Sequence, residues 1–106
     1  NESSREIRAR VEQARKIQRE RFAGENVRCN GEMSGRHIRK FCGLGREEEK
    51  FMEEIFEKLA LSARMHDRIL KVARTTADLA EEEKIRLADL CEAVSYVKSR
   101  DKFWGN

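Results

Sequence analysis

Residues 62–80, SARMHDRILKVARTTADLA, decide the fold of this 106-residue chain. Their apolar side chains recur every three or four residues, which is the spacing of one helix face packed on a core. Leu70 and Ala80 widen this face, which consists of Met65, Ile69, Val72, Ala73, Thr76 and Ala77. The pattern therefore predicts a central amphipathic helix against which the rest of the chain packs.

The same segment carries a second, basic face, formed by Arg64, Arg68, Lys71 and Arg74. Ser62 is a favourable N-cap, because its hydroxyl can accept an amide hydrogen that the first turn leaves unpaired. Arg64 then lies in the first turn, where the helix dipole disfavours a cation. A nearby anion would remove that cost, and helix N-termini themselves attract phosphates. The alternative is a solvated face on which Asp67 offsets the repulsion between Arg64 and Arg68.

Length and composition predict a single all-α domain over residues 1–106. The chain has no proline, and 41% of its residues are charged against 39% hydrophobic. The net charge of +3 is too small to indicate nucleic-acid binding, but it is unevenly distributed. Residues 1–42 carry 11 basic and 6 acidic side chains, a net of +5, whereas residues 43–106 carry 12 and 14, a net of −2. The first part is therefore the better candidate for facing an anionic partner.

The three cysteines, Cys29, Cys42 and Cys91, lack the spacing of a metal site, so we expect ordinary reduced thiols and no bound metal. The sequence shows neither a signal peptide nor a long apolar run. We therefore expect a cytoplasmic protein that does not engage a membrane.

The periodicity predicts a compact bundle of four to five helices, over residues 3–22, 34–42, 46–60, 62–80 and 85–97. Residues 98–106 form a C-terminal tail containing Phe103 and Trp104. At most two residues are expected to separate the third and fourth helices. Met52, Ile55, Phe56 and Leu59 are expected to point inward from the third helix.

The first helix combines a narrow apolar stripe with many cations. Ser3 and Glu6 have the spacing of a capping box. The apolar stripe is Ile7, Val11, Ala14 and Ile17, and the cations are Arg5, Arg8, Arg15, Lys16 and Arg19. One interpretation is a solvated face with glutamate partners at helical spacing. The other is contact with a phosphate-bearing or acidic neighbour.

No catalytic constellation is found in the sequence. His66 and Asp67 are adjacent, so on a helix their side chains point about 100° apart and do not make a dyad. No GxxxxGK[ST], GxGxxG, GxSxG or HExxH motif is present. We expect that the chain alone is not an enzyme and binds no cofactor.

Leu61-Ser62-Ala63-Arg64, followed by residues 68–79, resembles the signature of the magnesium chelatase subunit I-like C-terminal domain, in the YifB/ComM branch of the AAA+ ATPases. The resemblance extends to the opening residues Glu2, Ser3 and Ser4. It also includes separate positions further on, namely Ile7, Arg8, Arg10, Val11, Ala14, Arg15, Gln18, Arg21, Phe22, Asn30, Met33, Ile85, Leu90, Glu92, Ala93 and Tyr96. It departs from the family at Thr76, where isoleucine is usual, and at Val97, where arginine is usual.

The resemblance implies a helical lid domain that follows an α/β nucleotide-binding domain, with residues 3–22 as the linking helix. It also implies that Arg64, in the Ser-Ala-Arg triplet, is the sensor-2 arginine that reaches the phosphates of ATP. The parent would bind ATP with Mg²⁺ and assemble into a ring, commonly a hexamer. The chain would then be a fragment of a larger ATPase.

Two alternatives stay open for the basic faces and for the parent. The chain could be a nucleic-acid-binding helical module, with Arg68, Lys71, Arg8 and Arg15 as further anion or interface contacts. The parent could act on DNA, as the ComM branch suggests, or in metal insertion into a tetrapyrrole, as the family's name suggests. The lid assignment with DNA as the parent's substrate is the leading prediction.

Overall fold

The computed structural model describes residues 2–100, which form five α-helices and one 3-10 turn, with no strand in this range. The helices α1 to α5 span Ser4–Arg21, Gly35–Phe41, Arg46–Lys58, Ala63–Leu79 and Leu87–Arg100, and the 3-10 turn spans Asn30–Glu32. The predicted all-α fold with five helices is confirmed. The last helix continues through three residues that had been assigned to the tail, and Phe103 and Trp104 lie outside the described residues.

Helix α4 lies at the centre and packs on α5, α1 and α2. Three residues of its apolar face, Ile69, Ala73 and Ala77, are fully buried. The opposing face of α5 is buried as completely, at Leu90, Ala93 and Val97. The alanines leave room for close approach of the two helices, so larger side chains can interdigitate beside them. The predicted role of residues 62–80 as the organising segment is confirmed.

The predicted caps of α1 and α4 are present. Ser3 and Glu6 form a capping box, in which each side chain accepts a hydrogen bond from the other's backbone amide, at 2.9 and 3.2 Å. The Ser62 hydroxyl accepts from the amide of Met65 at 3.2 Å. These contacts satisfy amides that the first turn leaves without helical partners, and so they fix where each helix begins.

The connection from α3 to α4 is longer than predicted. Four residues, 59–62, separate the two helices, because Ala60 adopts a left-handed conformation with φ of 50°. The amide of Leu61 then reaches back to the carbonyl of Phe56 at 3.0 Å, which is the hydrogen bond of a Schellman end. Helix α4 ends in the same way, with Glu81 at φ of 56°, so the Glu81–Glu83 run lies beyond the helix.

Replacing Ala60 by glycine is expected to stabilise the protein by about 0.5–1 kcal/mol, because glycine adopts the left-handed conformation without steric cost. The matched control is Ala9→Gly on the exposed side of α1, where the same change should destabilise by about 1 kcal/mol. Urea unfolding followed by circular dichroism measures both effects. Destabilisation by Ala60→Gly would contradict the strain assigned to this turn.

Of the four residues predicted to point inward from α3, Met52 is buried and Ile55 and Leu59 pack against the core, but the prediction for Phe56 is wrong. Phe56 is 41% exposed, and its ring packs edge-on against His66 of α4. On α1, Ile7 is 45% exposed, and Ala14 is the one buried residue within the helix. The first turns of α1 therefore project beyond the core, while Phe22, just after the helix, is buried and packs edge-on against Phe41 at 5.3 Å.

Candidate functional site

An open cleft lies beside the start of α4. It has a volume of about 1480 Å³ and is walled by α4 on one side and by the Gly31–Gly35 segment and the α3–α4 connection on the other. Arg64, Arg68 and Lys71 all line it, and Arg100 from the end of α5 joins them. The structure therefore brings three of the predicted site residues together in one basic cleft.

Arg64 is the second residue of α4, directly after the Ser62 cap and Ala63. Its side chain is exposed, and no hydrogen bond or ion pair joins it to any other residue in the range 2–100. The backbone thus holds a guanidinium at the positive end of a helix dipole. An anion bound there would accept hydrogen bonds from the planar guanidinium and would also be stabilised by the helix dipole.

Lys71 and Arg68 extend the basic wall of the cleft along α4. Lys71 is half-buried, and its Nζ donates to the carbonyl oxygen of Gly31 at 3.4 Å, which links α4 to the opposite wall. Arg68 is exposed one turn after Arg64. Their helical spacing makes this arrangement a direct consequence of the sequence.

Arg74, predicted as the fourth cation of this face, is not part of it. Its side chain is buried, and it donates to the carbonyl oxygens of Glu82 at 2.9 Å and Glu83 at 3.0 Å. It follows Leu70 by four residues, and Leu70 is buried, so the helix turns Arg74 inward. Burial lowers the pKa of its guanidinium, an effect that Asp78 opposes.

Arg8 and Arg15, the other predicted contacts, lie on α1 and are absent from the lining of the cleft. Both are exposed. Arg15 pairs with Glu12 at 2.9 Å on the surface, an exposed interaction that contributes little to stability. The structure therefore separates the predicted cations into a cleft group on α4 and a surface group on α1.

Sequence reasoning missed a buried polar network that joins α1, the 3-10 turn and α4. Asp78 is 1% exposed and receives two hydrogen bonds from Arg21, at 2.7 and 2.8 Å, and one from the Asn30 side chain at 2.8 Å. Arg74 Nε lies 3.3 Å from the same carboxylate without hydrogen-bond alignment. The sequence feature that could have predicted this network is the Arg74–Asp78 pair, spaced i, i+4 on an otherwise apolar helix face.

The Asn30 side chain links the other groups of this network. Its amide nitrogen also donates to the Thr75 hydroxyl at 3.0 Å, and its oxygen accepts from Arg21 at 3.0 Å. The backbone amide of Asn30 donates to the Gln18 side chain at 3.0 Å. The asparagine thus fastens the 3-10 turn to both α1 and α4, and this turn carries Gly31 into the wall of the cleft.

The side chains of His66 and Asp67, adjacent on α4, lie close together. His66 Nδ1 lies 3.6 Å from Asp67 Oδ1, which is longer than a hydrogen bond. The His66 ring packs edge-on against Phe56, with the centroids 5.9 Å apart. The two side chains are in contact but do not form an aligned acid–base pair.

Residues 2–100 contain no group of three or more His, Cys, Asp or Glu side chains placed to hold a metal ion. The three cysteines are free thiols, but Cys29 and Cys91 are exposed and Cys42 alone is buried. Over the same range, none of the helices combines the length and the apolar character needed to cross a membrane.

The geometry defines a small all-α domain whose candidate site is an arginine at a capped helix start, inside a basic cleft. Residues 1–97 match the family described as magnesium chelatase, subunit ChlI C-terminal, and the chain belongs to this family. It is 40% identical over 95 residues to the competence protein ComM of Haemophilus influenzae. It is 38% and 40% identical over 95 residues to the YifB proteins of Salmonella typhimurium and Escherichia coli. In each comparison the match covers 90% of this chain and 18% of the relative.

Proposed function

We propose that this chain is the helical lid domain of a magnesium chelatase-like AAA+ ATPase, and that Arg64 is the sensor-2 arginine contacting the phosphates of ATP. The observation that carries the proposal is the exposed guanidinium of Arg64 in the first turn of α4, without a partner in residues 2–100 and inside a basic cleft. Membership of the magnesium chelatase C-terminal family supports it. Arg68 and Lys71 would add positive potential along the same wall.

The rest of the nucleotide site would come from a preceding α/β domain that binds ATP with Mg²⁺. In this proposal α1 is the linking helix, and the lid changes its angle to the α/β domain as the nucleotide changes. The sites would lie at the boundaries between subunits of a ring, commonly a hexamer. Action of the whole protein on DNA, or alternatively in metal insertion, remains a prediction from the family resemblance.

Arg64→Ala in the longer protein that contains the nucleotide-binding domain is expected to lower ATP turnover by about 10–100-fold. This follows from the loss of one charge-assisted hydrogen bond, worth about 1.5–3 kcal/mol. Arg64→Lys should fall in between, since it keeps the charge but loses the planar fork. Steady-state ATP hydrolysis is measured on protein whose assembly state has been verified by analytical ultracentrifugation.

The matched control is Arg46→Ala. Arg46 is also an exposed arginine in the first turn of a helix, α3, and it does not line the cleft. The control should hydrolyse ATP at the unaltered rate. Equal rates for the Arg64→Ala and Arg46→Ala proteins, with assembly intact, would overturn the sensor assignment.

A further inference from the structure

A second groove runs between α2, α3 and α4 and adjoins the basic cleft, with which it shares Gly35, Ile38 and Asp67. It has a volume of about 760 Å³ and an apolar floor, to which Ile38, Cys42, Leu44, Met52, Phe56 and Leu70 contribute. Phe56 is 41% exposed within it. A large aromatic side chain left open to solvent in an apolar groove is the kind of anchor that protein interfaces bury.

The rim of this groove is acidic. Glu49, Glu53 and Glu57 follow one another at four-residue intervals along α3, all line the groove, and all are exposed. No ion pair or hydrogen bond to other residues of the range 2–100 engages their carboxylates. Asp67 adds a fourth carboxylate from α4, and Arg39 is the one lysine or arginine among the lining residues. The groove therefore fits an apolar segment bordered by positive charge.

Helix α1 of this chain has that character. Ile7 is 45% exposed and Val11 is half-buried. At about 100° per residue, Arg8, Arg15 and Arg19 lie on the side of α1 that adjoins this apolar pair. Arg8 and Arg15 are about 10 Å apart along the axis and Glu49 and Glu57 about 12 Å, from the rise per residue of a helix. The exposed Arg15–Glu12 pair would exchange easily for an intermolecular one.

Within residues 2–100 the two stripes are not paired with each other. Helix α1 packs on α4, and no ion pair joins α1 to α3 within the described part of the chain. We propose that the groove between α2, α3 and α4 binds α1 of a second copy of this chain in the antiparallel direction, with Arg8 paired to Glu57, Arg15 to Glu49, and Ile7 set against Phe56. Arg19 then lies beyond the Glu49 end of the acidic row and adds positive potential there. Because the two surfaces differ, the contact is heterologous: each copy binds one neighbour through its groove and another through its α1. This inference does not depend on the role of Arg64.

The test is the association state of the 106-residue chain by analytical ultracentrifugation at low salt. The unaltered chain is expected to self-associate with increasing concentration. R8E/R15E/R19E and E49K/E53K/E57K should each weaken association by about tenfold or more, because opposite charges become like charges. An equimolar mixture of the two variants should regain association, since each supplies the charge that the other lost.

Three controls keep the result interpretable. E54K/E83K/E92K makes the same charge change at exposed positions outside the groove and should associate like the unaltered chain. Phe56→Ala should weaken association without altering any charge. Circular dichroism verifies that each variant is folded, and E49Q/E53Q/E57Q replaces the lysine variant if the latter does not fold.

Three results would overturn the proposal. The first is an unaltered chain that stays monomeric at every concentration tested in low salt. The second is an E49K/E53K/E57K protein that associates as strongly as the E54K/E83K/E92K control. The third is binding of a DNA duplex that is lost in R8E/R15E/R19E while self-association is unchanged, which would assign the α1 cations to nucleic acid instead.

Discussion

Replacing Asp78 by alanine is expected to lower the free energy of unfolding by about 3–5 kcal/mol, which is the typical cost of removing one partner of a buried ion pair. The carboxylate lies between Arg21 and Arg74 and is hydrogen-bonded by Asn30 as well. Its loss leaves the buried Arg74 cation without its counter-charge and leaves the Asn30 amide with one acceptor fewer. Urea unfolding followed by far-ultraviolet circular dichroism measures the loss.

Asp67→Ala is the matched control, since Asp67 is a carboxylate on the same helix with a side chain 45% exposed. Its removal should change the free energy of unfolding by no more than about 0.5 kcal/mol. Asp78→Asn keeps the volume and can still accept hydrogen bonds, so its cost should be smaller than that of Asp78→Ala. If the Asp78→Ala and Asp67→Ala proteins were equally stable, the network would not hold α1 to α4 as described.

Cys42 is expected to react with a thiol reagent at least about 100-fold more slowly than a thiol of ordinary pKa, because reaction requires the thiolate. Burial raises the pKa of Cys42 from 9.0 to about 11, while the nearby Arg74 and Arg21 lower it by less. The side chain is also 4% exposed, which blocks the reagent sterically. Rates are measured on three variants that each keep one cysteine, so that Cys29 and Cys91 serve as exposed references.

The same pKa shift predicts a pH dependence of stability. Between about pH 9 and pH 11 the unfolded chain has lost the thiol proton and the folded chain has kept it, so the unfolded state binds fewer protons. Stability is therefore fully present below pH 9 and falls as the pH rises, by about 3 kcal/mol over the two units. Cys42→Ala should lack this part of the decline.

The thiol-reagent experiment has its own contradicting outcome. Equal labelling of all three cysteines in native protein, with equal labelling in urea, would contradict the burial of Cys42.

Local features of this fold could be predicted because they depend on neighbours in the sequence. The Ser3–Glu6 box and the Ser62 cap need only the spacing of a helix start. The apolar face of α4 needs only the helical period, and Ile69, Ala73 and Ala77 proved to be fully buried. The clustering of Arg64, Arg68 and Lys71 follows from the same period, so this wall of the basic cleft was visible in the sequence.

What could not be predicted depends on contacts between distant parts of the chain. Arg21 and Asp78 are 57 residues apart, and no local pattern specifies their pairing. Arg74 was assigned to the surface because charged side chains are mostly exposed, but a carboxylate one turn away and two backbone carbonyls allow it to be buried. The short-connection prediction failed because Ala60 supplies a left-handed turn usually made by glycine.

Because Arg21 anchors one end of α1, a small rotation of the core moves the other end of this helix by a larger distance. Its last turn is fastened by Arg21 to the centre of the domain, while its first turns project into solvent. Its 18 residues span about 27 Å at the rise of an α-helix. Because the helix is stiff over that length, a rotation of the core by about 10° about the anchored end carries the far end through about 5 Å. A small rotation near Asp78 thus moves Ser4 by more than the length of a contact between two atoms.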